Sequence, residues 1–386
     1  MSTLKADAWV LYAGEDPKNP TPAELKRETY EFPDITEDEV LCEPLYGCWE
    51  GNMGHALERK PVDICRQRGE EKVVIGNAGV VRVVRVGKKV RSVEPGRHAI
   101  IFCTGVEDEW GYPKKILAYD APGTMGVLAT QMKVKERQLI PVPEDTRHSL
   151  PQWAAFSLRY ITAWSNWELA QGTFRLLVSW DEMASPHVWG WGGGVTLAEL
   201  DLARRHGARA VGLSGSDRRL EEIRAAGITA IDRRTFGELA YDPERYRSDP
   251  EYKRRYLEAE SAFLEEVRCR TKGRMVQIFI DYVGGPVWRP TLKALSREGV
   301  VTTAGWKEGM KLQTIRAIEC IERHQHIHTH YARYPQGWKA VYYAEANGWI
   351  PTVDERIYTF DEIPELAANY AAGNVGNYPC FSINPE

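Results

Sequence analysis

Between residues 186 and 303 the chain alternates short apolar runs with amphipathic stretches, and this alternation restricts its fold more than any other feature. Pro186-His187-Val188-Trp189 leads into a run of glycines, after which Val195, Ala198 and Leu202 fall on one helical face. Arg209 to Leu213 reads as the next strand and Leu220 to Ala226 as the next helix. Val276 to Asp281 and Gly299 to Thr303 continue the series. A strand–helix–strand repeat of this kind predicts an α/β fold, a doubly wound parallel sheet with helices on both faces.

Gly190-Trp191-Gly192-Gly193-Gly194-Val195 stands between the first predicted strand and its helix. Glycine there permits a tight turn and lets the backbone approach a pyrophosphate held at a helix N-terminus. Gly190, Gly192, Gly193, Gly194 and Val195 are therefore candidate cofactor residues, with a purely structural turn as the alternative. The second strand ends in Leu213-Ser214-Gly215-Ser216-Asp217-Arg218-Arg219. An NAD-specific site wants an acid at that point to take the ribose hydroxyls. Ser214, Ser216, Arg218 and Arg219 instead suit a 2′-phosphate through charge-assisted hydrogen bonds, so NADP(H) is expected over NAD(H). Asp217 has a second reading, as the cap of a helix starting at Arg218.

Residues 236–274 interrupt the alternation with a charged, helix-prone insert, Asp242-Pro243-Glu244-Arg245-Tyr246-Arg247 onward, which reads as a solvated helical excursion. Upstream, residues 38 to 145 are β-rich. Lys72-Val73-Val74-Ile75 and Val80-Val81-Arg82-Val83-Val84-Arg85-Val86 are punctuated by Gly76, Gly79, Gly87 and Gly96. Closely spaced strands with glycine turns predict a small barrel. The length of 386 residues suits two domains. A net charge of -4 carries no electrostatic footprint for nucleic acid or an anionic membrane. No apolar stretch reaches the ~20 residues of a membrane span, and Met1-Ser2-Thr3-Leu4-Lys5 lacks the apolar core of a signal peptide. Seven cysteines are scattered without a Cys-x-x-Cys pair, which argues against a disulfide framework or a zinc knuckle and points to a reducing cytoplasm. Thirteen tryptophans point to core and interface packing, or to the walls of an apolar substrate cavity.

Three motifs carry a family resemblance. Val188-Trp189-Gly190-Trp191-Gly192-Gly193-Gly194 looks like a Val-Trp-Gly-Ala-Ser-Gly-Gly loop. Ser248-Asp249-Pro250-Glu251-Tyr252-Lys253-Arg254 is similar to a charged insert with an Asp-Pro and a basic-aromatic run. Thr329-His330-Tyr331-Ala332-Arg333-Tyr334, with Trp338, looks like a final Ser-His-Phe-Ala-Asn-Tyr strand before a Trp-containing helix. With these motifs the chain resembles the crotonyl-CoA carboxylase/reductases, a zinc-free branch of the medium-chain dehydrogenase/reductase superfamily.

The resemblance implies a GroES-like barrel domain over residues 1–165, completed by 332–386, and a Rossmann domain over 166–331 that binds NADPH. It also implies an active site in the cleft between them, and a homodimer or dimer of dimers. The implied reaction is reduction of an α,β-unsaturated thioester, acyl-CoA or carrier-protein bound, by hydride transfer to the β-carbon. Carboxylating members trap the enolate with CO2. The residues credited with holding CO2 match Asn52, the pair Tyr119-Asp120, and His330 here. An amide N–H and an imidazole N–H suit the weak acceptor oxygens of CO2. Thr162 matches the position near the nicotinamide, and Tyr282 and Gly305 match the ends of consecutive Rossmann strands.

Many reductases of this architecture bind a catalytic zinc through Cys, His and a carboxylate. Ile75-Gly76-Asn77-Ala78-Gly79 stands where those have Gly-His-Glu, and Asn77 and Ala78 cannot ligate zinc, so no metal is expected. Cys48, near the other ligand position, reads as a buried small hydrophobe. His324, His326, His328 and His330 recur every second residue and would share one face of a strand, with surface or dimer-edge roles preferred to an ion clamp. The chain departs from the family at Trp191, bulky where the loop nears the pyrophosphate, and at Thr196, in place of the last glycine. It departs again at Asp120, one methylene shorter than the family's Glu, and at His324-Gln325-His326, where basic residues help hold CoA phosphates. These departures leave open a quinone or enone reductase, and a catalytically degenerate member acting as a binding or assembly protein.

Overall fold

The computed structural model describes residues 2–16, 18, 20–304, 312–329 and 331–385. The chain divides into two compact units, Met1–Ile161 with Ala332–Glu386, and Thr162–Tyr331.

In the first unit the strand Glu39–Cys48 is the spine of an antiparallel six-stranded sheet. The sheet runs Leu139–Pro141, His98–Ile101, Gly79–Val86, Glu39–Cys48, Cys380–Ser382, and Met132–Lys135 also pairs with the spine. Its register against Gly79–Val86 shifts at Leu41/Cys42 and again at Pro44/Tyr46. Each bulge bends and twists the spine, and a bulge is where Pro44 is tolerated in a strand. The sheet therefore curls, as the barrel reading expected. The tail returns to it: Cys380, Phe381 and Ser382 face Cys48, Gly47 and Tyr46. The Phe381 ring lies where a side chain at position 47 would start, so only glycine there lets the tail dock.

The second unit holds a six-stranded sheet in the order Thr229–Asp232, Arg209–Ser214, His187–Trp191, Val276–Asp281, Leu295–Thr303, His326–Thr329. Every neighbouring pair is parallel. The first strand lies centrally and the chain winds outward on both sides, the doubly wound Rossmann arrangement predicted from the alternation.

The charged insert corrects the sequence reading. Its helix Pro250–Thr271 is capped by Asp249, whose carboxylate accepts from the backbone N–H groups of Glu251 and Tyr252. Tyr252, Tyr256, Ala259, Phe263 and Val267 are buried along one stripe at helical spacing. Phe263 packs in the same core as Trp189, Trp191 and Phe279. The opposite face carries pairs such as Arg254–Glu258 and Arg270–Glu266. The insert is solvated on one side only, and its other side completes the Rossmann core.

Candidate active site

In the second unit the strand His187–Trp191 runs through Gly190 and Trp191, so the turn itself is only Gly192-Gly193 before the helix Gly194–Arg205. Trp191 is turned away from the turn. Its indole stacks on Phe279 with centroids 5.6 Å apart, lies 5.1 Å from Phe263, and donates its N–H to Thr291 Oγ1 at 2.8 Å. Thr291 in turn lies 3.1 Å from Asp281 Oδ2. The bulk expected to obstruct the loop is thus housed in the core that the insert helix completes.

Thr196, buried at the helix start, donates its hydroxyl to Trp191 O at 2.9 Å. A Cβ on Gly190 would sit 2.6 Å from Thr196 Cγ2, and one on Gly192 would collide with Thr196 Oγ1. Gly192 also has φ +136, outside the range side chains favour. Close packing of helix on strand is therefore kept, with the bare glycines on the strand side making room for the threonine. Gly193 caps the helix without a side chain, Gly194 is buried and Val195 half-buried in its first turn, an arrangement suited to an anion.

At the end of the second strand, Ser214 Oγ accepts from the backbone N–H of Ser216 at 3.2 Å. Ser216, not Asp217, is the N-cap of the helix Asp217–Ala225. Asp217 lies in that helix's first turn and pairs with Arg234, which also holds Asp232. Arg218 is exposed beside Glu222, and Arg219 is half-buried. Sequence reasoning missed Arg233. Its guanidinium crosses Gly215, where a Cβ would meet Nε at 2.9 Å, and among the described residues no carboxylate pairs with it. A cavity of about 230 Å³ on another side of Arg233 is lined as well by Trp191, Arg234, Gly237, Glu238, Leu239, Ala240 and Val287. The signal was available in the sequence as Asp232-Arg233-Arg234 closing the third strand.

Tyr282 spends its hydroxyl below the strand ends, donating to Glu199 Oε2 at 2.7 Å, while Thr302 donates to Oε1 at 3.3 Å. Burial pushes the Glu199 carboxyl up to about 8 against the pull of these two hydroxyls. The folded chain therefore holds a proton that the unfolded chain releases near its ordinary value of 4.5. Stability from this group is full below that value and falls as pH rises toward 8. Glu199→Gln should be nearly free of this dependence, so its melting temperature should gain on the wild type between pH 5 and 8. A constant difference across that range would show that no proton is held.

In the first unit, Cys48 ends the spine strand, and Arg159 of the helix Leu150–Leu177 is buried beside it. Arg159 donates to Cys48 Sγ at 2.9 Å and to Trp49 O at 2.7 Å, and pairs with Glu50 Oε1 at 2.8 Å. Burial lifts the Glu50 carboxyl to about 7 in spite of the guanidinium. Cys48 is buried as expected, but it is also a hydrogen-bond acceptor rather than a passive hydrophobe. A fixed guanidinium thus stands next to Cys48. Asn77 is 1% exposed, and both its amide oxygen and nitrogen lack a hydrogen-bond partner among the described residues.

Asn52 lies half-buried in the first turn of the helix Gly51–Glu58, and no hydrogen bond engages its amide among the described residues. Tyr119 is buried, and its carbonyl lies 3.5 Å from Arg68 Nη1. Asp120 accepts from the backbone N–H of Ile116 at 2.6 Å, so one carboxylate oxygen closes a local turn. Thr162 uses its carbonyl to accept from Ser165 and Asn166 within the long helix. Gly305 and His330 lie outside the described residues. The other histidines do not act as one row. His324 and His326 face Glu298 at 3.0 and 3.5 Å, whereas His328 Nε2 lies 3.1 Å from Thr173 Oγ1. Among the described residues no three His, Cys, Asp or Glu side chains are grouped to hold a metal ion.

The chain's curled antiparallel unit and its six-stranded Rossmann unit with a glycine turn after the central strand make a fold that solved structures share. Among solved structures, the chain is similar to the crotonyl-CoA carboxylase/reductase AntE in complex with NADP, at 20% identity and TM-score 0.78 over 99% of this chain and 95% of that one. It is similar to the 2-octenoyl-CoA carboxylase reductase CinF of a Streptomyces species, in complex with NADP and 2-octenoyl-CoA, at 21% identity and TM-score 0.78 over 99% and 88%. An alcohol dehydrogenase from Sinorhizobium meliloti 1021 matches at 20% identity and TM-score 0.71 over 99% of each chain. At these identities the likeness is one of fold. No family model and no curated protein matches the chain.

Proposed function

We propose that this chain is an NADPH-dependent reductase of an α,β-unsaturated acyl thioester. The observation that carries the reading is the phosphate cradle of the Rossmann unit. Gly190 and Gly192 have no room for side chains, Gly193 leaves the helix end without a side-chain cap, and Arg233 lies against Gly215, in the segment that also carries Ser214, Ser216, Arg218 and Arg219. Trp191 is withdrawn into the core and leaves that cradle accessible. When bound, NADPH supplies hydride. The residues around Gly192 would hold the pyrophosphate, and the arginines the 2′-phosphate. The fold likeness to carboxylase/reductases with NADP and with 2-octenoyl-CoA supports a thioester as the acceptor. The enolate it leaves takes a proton or CO2, and the unengaged amide of Asn52 favours CO2 as a second reading.

NADPH oxidation against a panel of enoyl-CoA and carrier-protein thioesters, with and without bicarbonate and followed by product mass, tests the proposal. Reduction of quinones or free enones with no thioester turnover would replace it. Asn52→Ala should lose any carboxylated product while keeping reduction. Arg233→Ala should weaken NADPH binding by roughly 10- to 100-fold, the value of one or two hydrogen bonds to a charged group, and leave NADH binding unchanged.

A further inference from the structure

Reducing the β-carbon of an enoyl thioester moves the alkene pair into the Cα–carbonyl bond and puts negative charge on the carbonyl oxygen. That charge is discharged when Cα takes a proton or CO2. A zinc-dependent member of this fold can meet such charge with its metal, whereas a zinc-free chain needs a donor in its place. Arg159 is a buried, fixed cation of the first unit, but its guanidinium is committed to Cys48, Trp49 and Glu50.

One residue beyond this cluster lies Asn77. Ala78 O accepts from the Cys48 N–H at 3.2 Å, and Gly47 faces Gly79 across the sheet, so Asn77 is held at the end of the same strand pair. Among the described residues it is the one amide side chain whose nitrogen and oxygen are both buried and unpaired. Leaving both ends of an amide dry is costly, and such groups in folded proteins usually mark a missing ligand, ion or water. Gly76, at φ +110, kinks the backbone just before it, with no space for a Cβ against Val127. The segment is therefore held in place without help from the amide.

We propose that Asn77 is the oxyanion donor for the thioester: Nδ2 donates to the carbonyl oxygen as it becomes an enolate. The inference rests on the thioester reading above. Its sign on stability separates it from a structural role. An amide that pairs only with substrate burdens the free protein, so Asn77→Ala should keep or raise the melting temperature, by about 2–5 °C. The same change should lower kcat by about 100- to 1,000-fold, the usual effect of losing one oxyanion donor, with the NADPH Kd unmoved. A second readout needs no turnover. Acetoacetyl-CoA, followed by its ultraviolet enolate absorbance, should ionise about one to two pH units lower on the wild type than on Asn77→Ala.

Asn77→Ser, which keeps a hydroxyl donor, should fall between the two, and it answers the question if the alanine variant does not fold. The inference is overturned if kcat stays within threefold, if the acetoacetyl-CoA titration does not move, or if the melting temperature drops as for a lost buried network. A wild type that oxidises NADPH with enoyl thioesters while Asn77→Ala does so equally well sinks the inference alone. A wild type that neither turns over enoyl thioesters nor binds acetoacetyl-CoA sinks the thioester reading and the inference with it.

Discussion

Arg159→Met should cost the first unit about 3–5 kcal/mol, lowering its melting temperature by on the order of 10 °C. The methionine fills much of the same volume, so the loss comes from what the guanidinium leaves behind. Glu50 would remain buried without its cation, and Cys48 Sγ and Trp49 O would lose their donor. Removing one member of a buried pair is far more damaging than removing both, because the desolvated charge has nowhere to go. The double variant Arg159→Met with Glu50→Gln should therefore recover a large part of the stability. The loss should also depend on pH. Burial already lifts Glu50 to about 7, and without Arg159 it would take up a proton still more readily. The single variant should thus be less impaired at pH 5 than at pH 8. Differential scanning calorimetry of the four members of this cycle at both pH values checks it. Additive losses with no pH dependence would show that the pair is not coupled.

What could be read in the sequence follows from how local each signal is. The parallel sheet was legible because strand and helix periods alternate in a window of a few residues, and Val276–Asp281 falls where it was expected. The glycine turn was legible too, but its length was not. Trp191 was counted with the loop because it is flanked by glycines, and only the indole-sized space beside Phe263 and Phe279 makes it a strand and core residue. That space is built by the insert helix. Its charged residues dominate composition, while three of the five positions in its buried stripe are aromatic, two of them tyrosines whose hydroxyls are bonded inside. Arg159 was invisible for the same reason. An arginine in a helix reads as solvent-facing, and its burial depends on Cys48, Trp49 and Glu50, more than a hundred residues away. Ser214, Ser216, Arg218 and Arg219 stand together in the sequence after the second strand, whereas Arg233 comes to Gly215 from the end of the third.

Phe263→Ala is the sharpest test of the corrected view of the insert. A solvated excursion would tolerate it, as it should tolerate Arg254→Ala on the exposed face, where ion pairs with Glu251 and Glu258 are worth well under ~1 kcal/mol. Phe263 is 0% exposed, and its ring contacts Trp189, Trp191 and Phe236. Truncation should cost the Rossmann unit about 3–5 kcal/mol, from lost burial and the cavity left behind. The cavity would open under the Trp191 indole, whose carbonyl accepts from Thr196 and so fixes the helix start behind Gly192-Gly193. NADPH affinity should therefore fall in Phe263→Ala and not in Arg254→Ala, although neither residue belongs to the cradle. Urea unfolding and nucleotide fluorescence titration of both variants measure this. If the two behaved alike, the insert would not be what holds Trp191 out of the glycine turn.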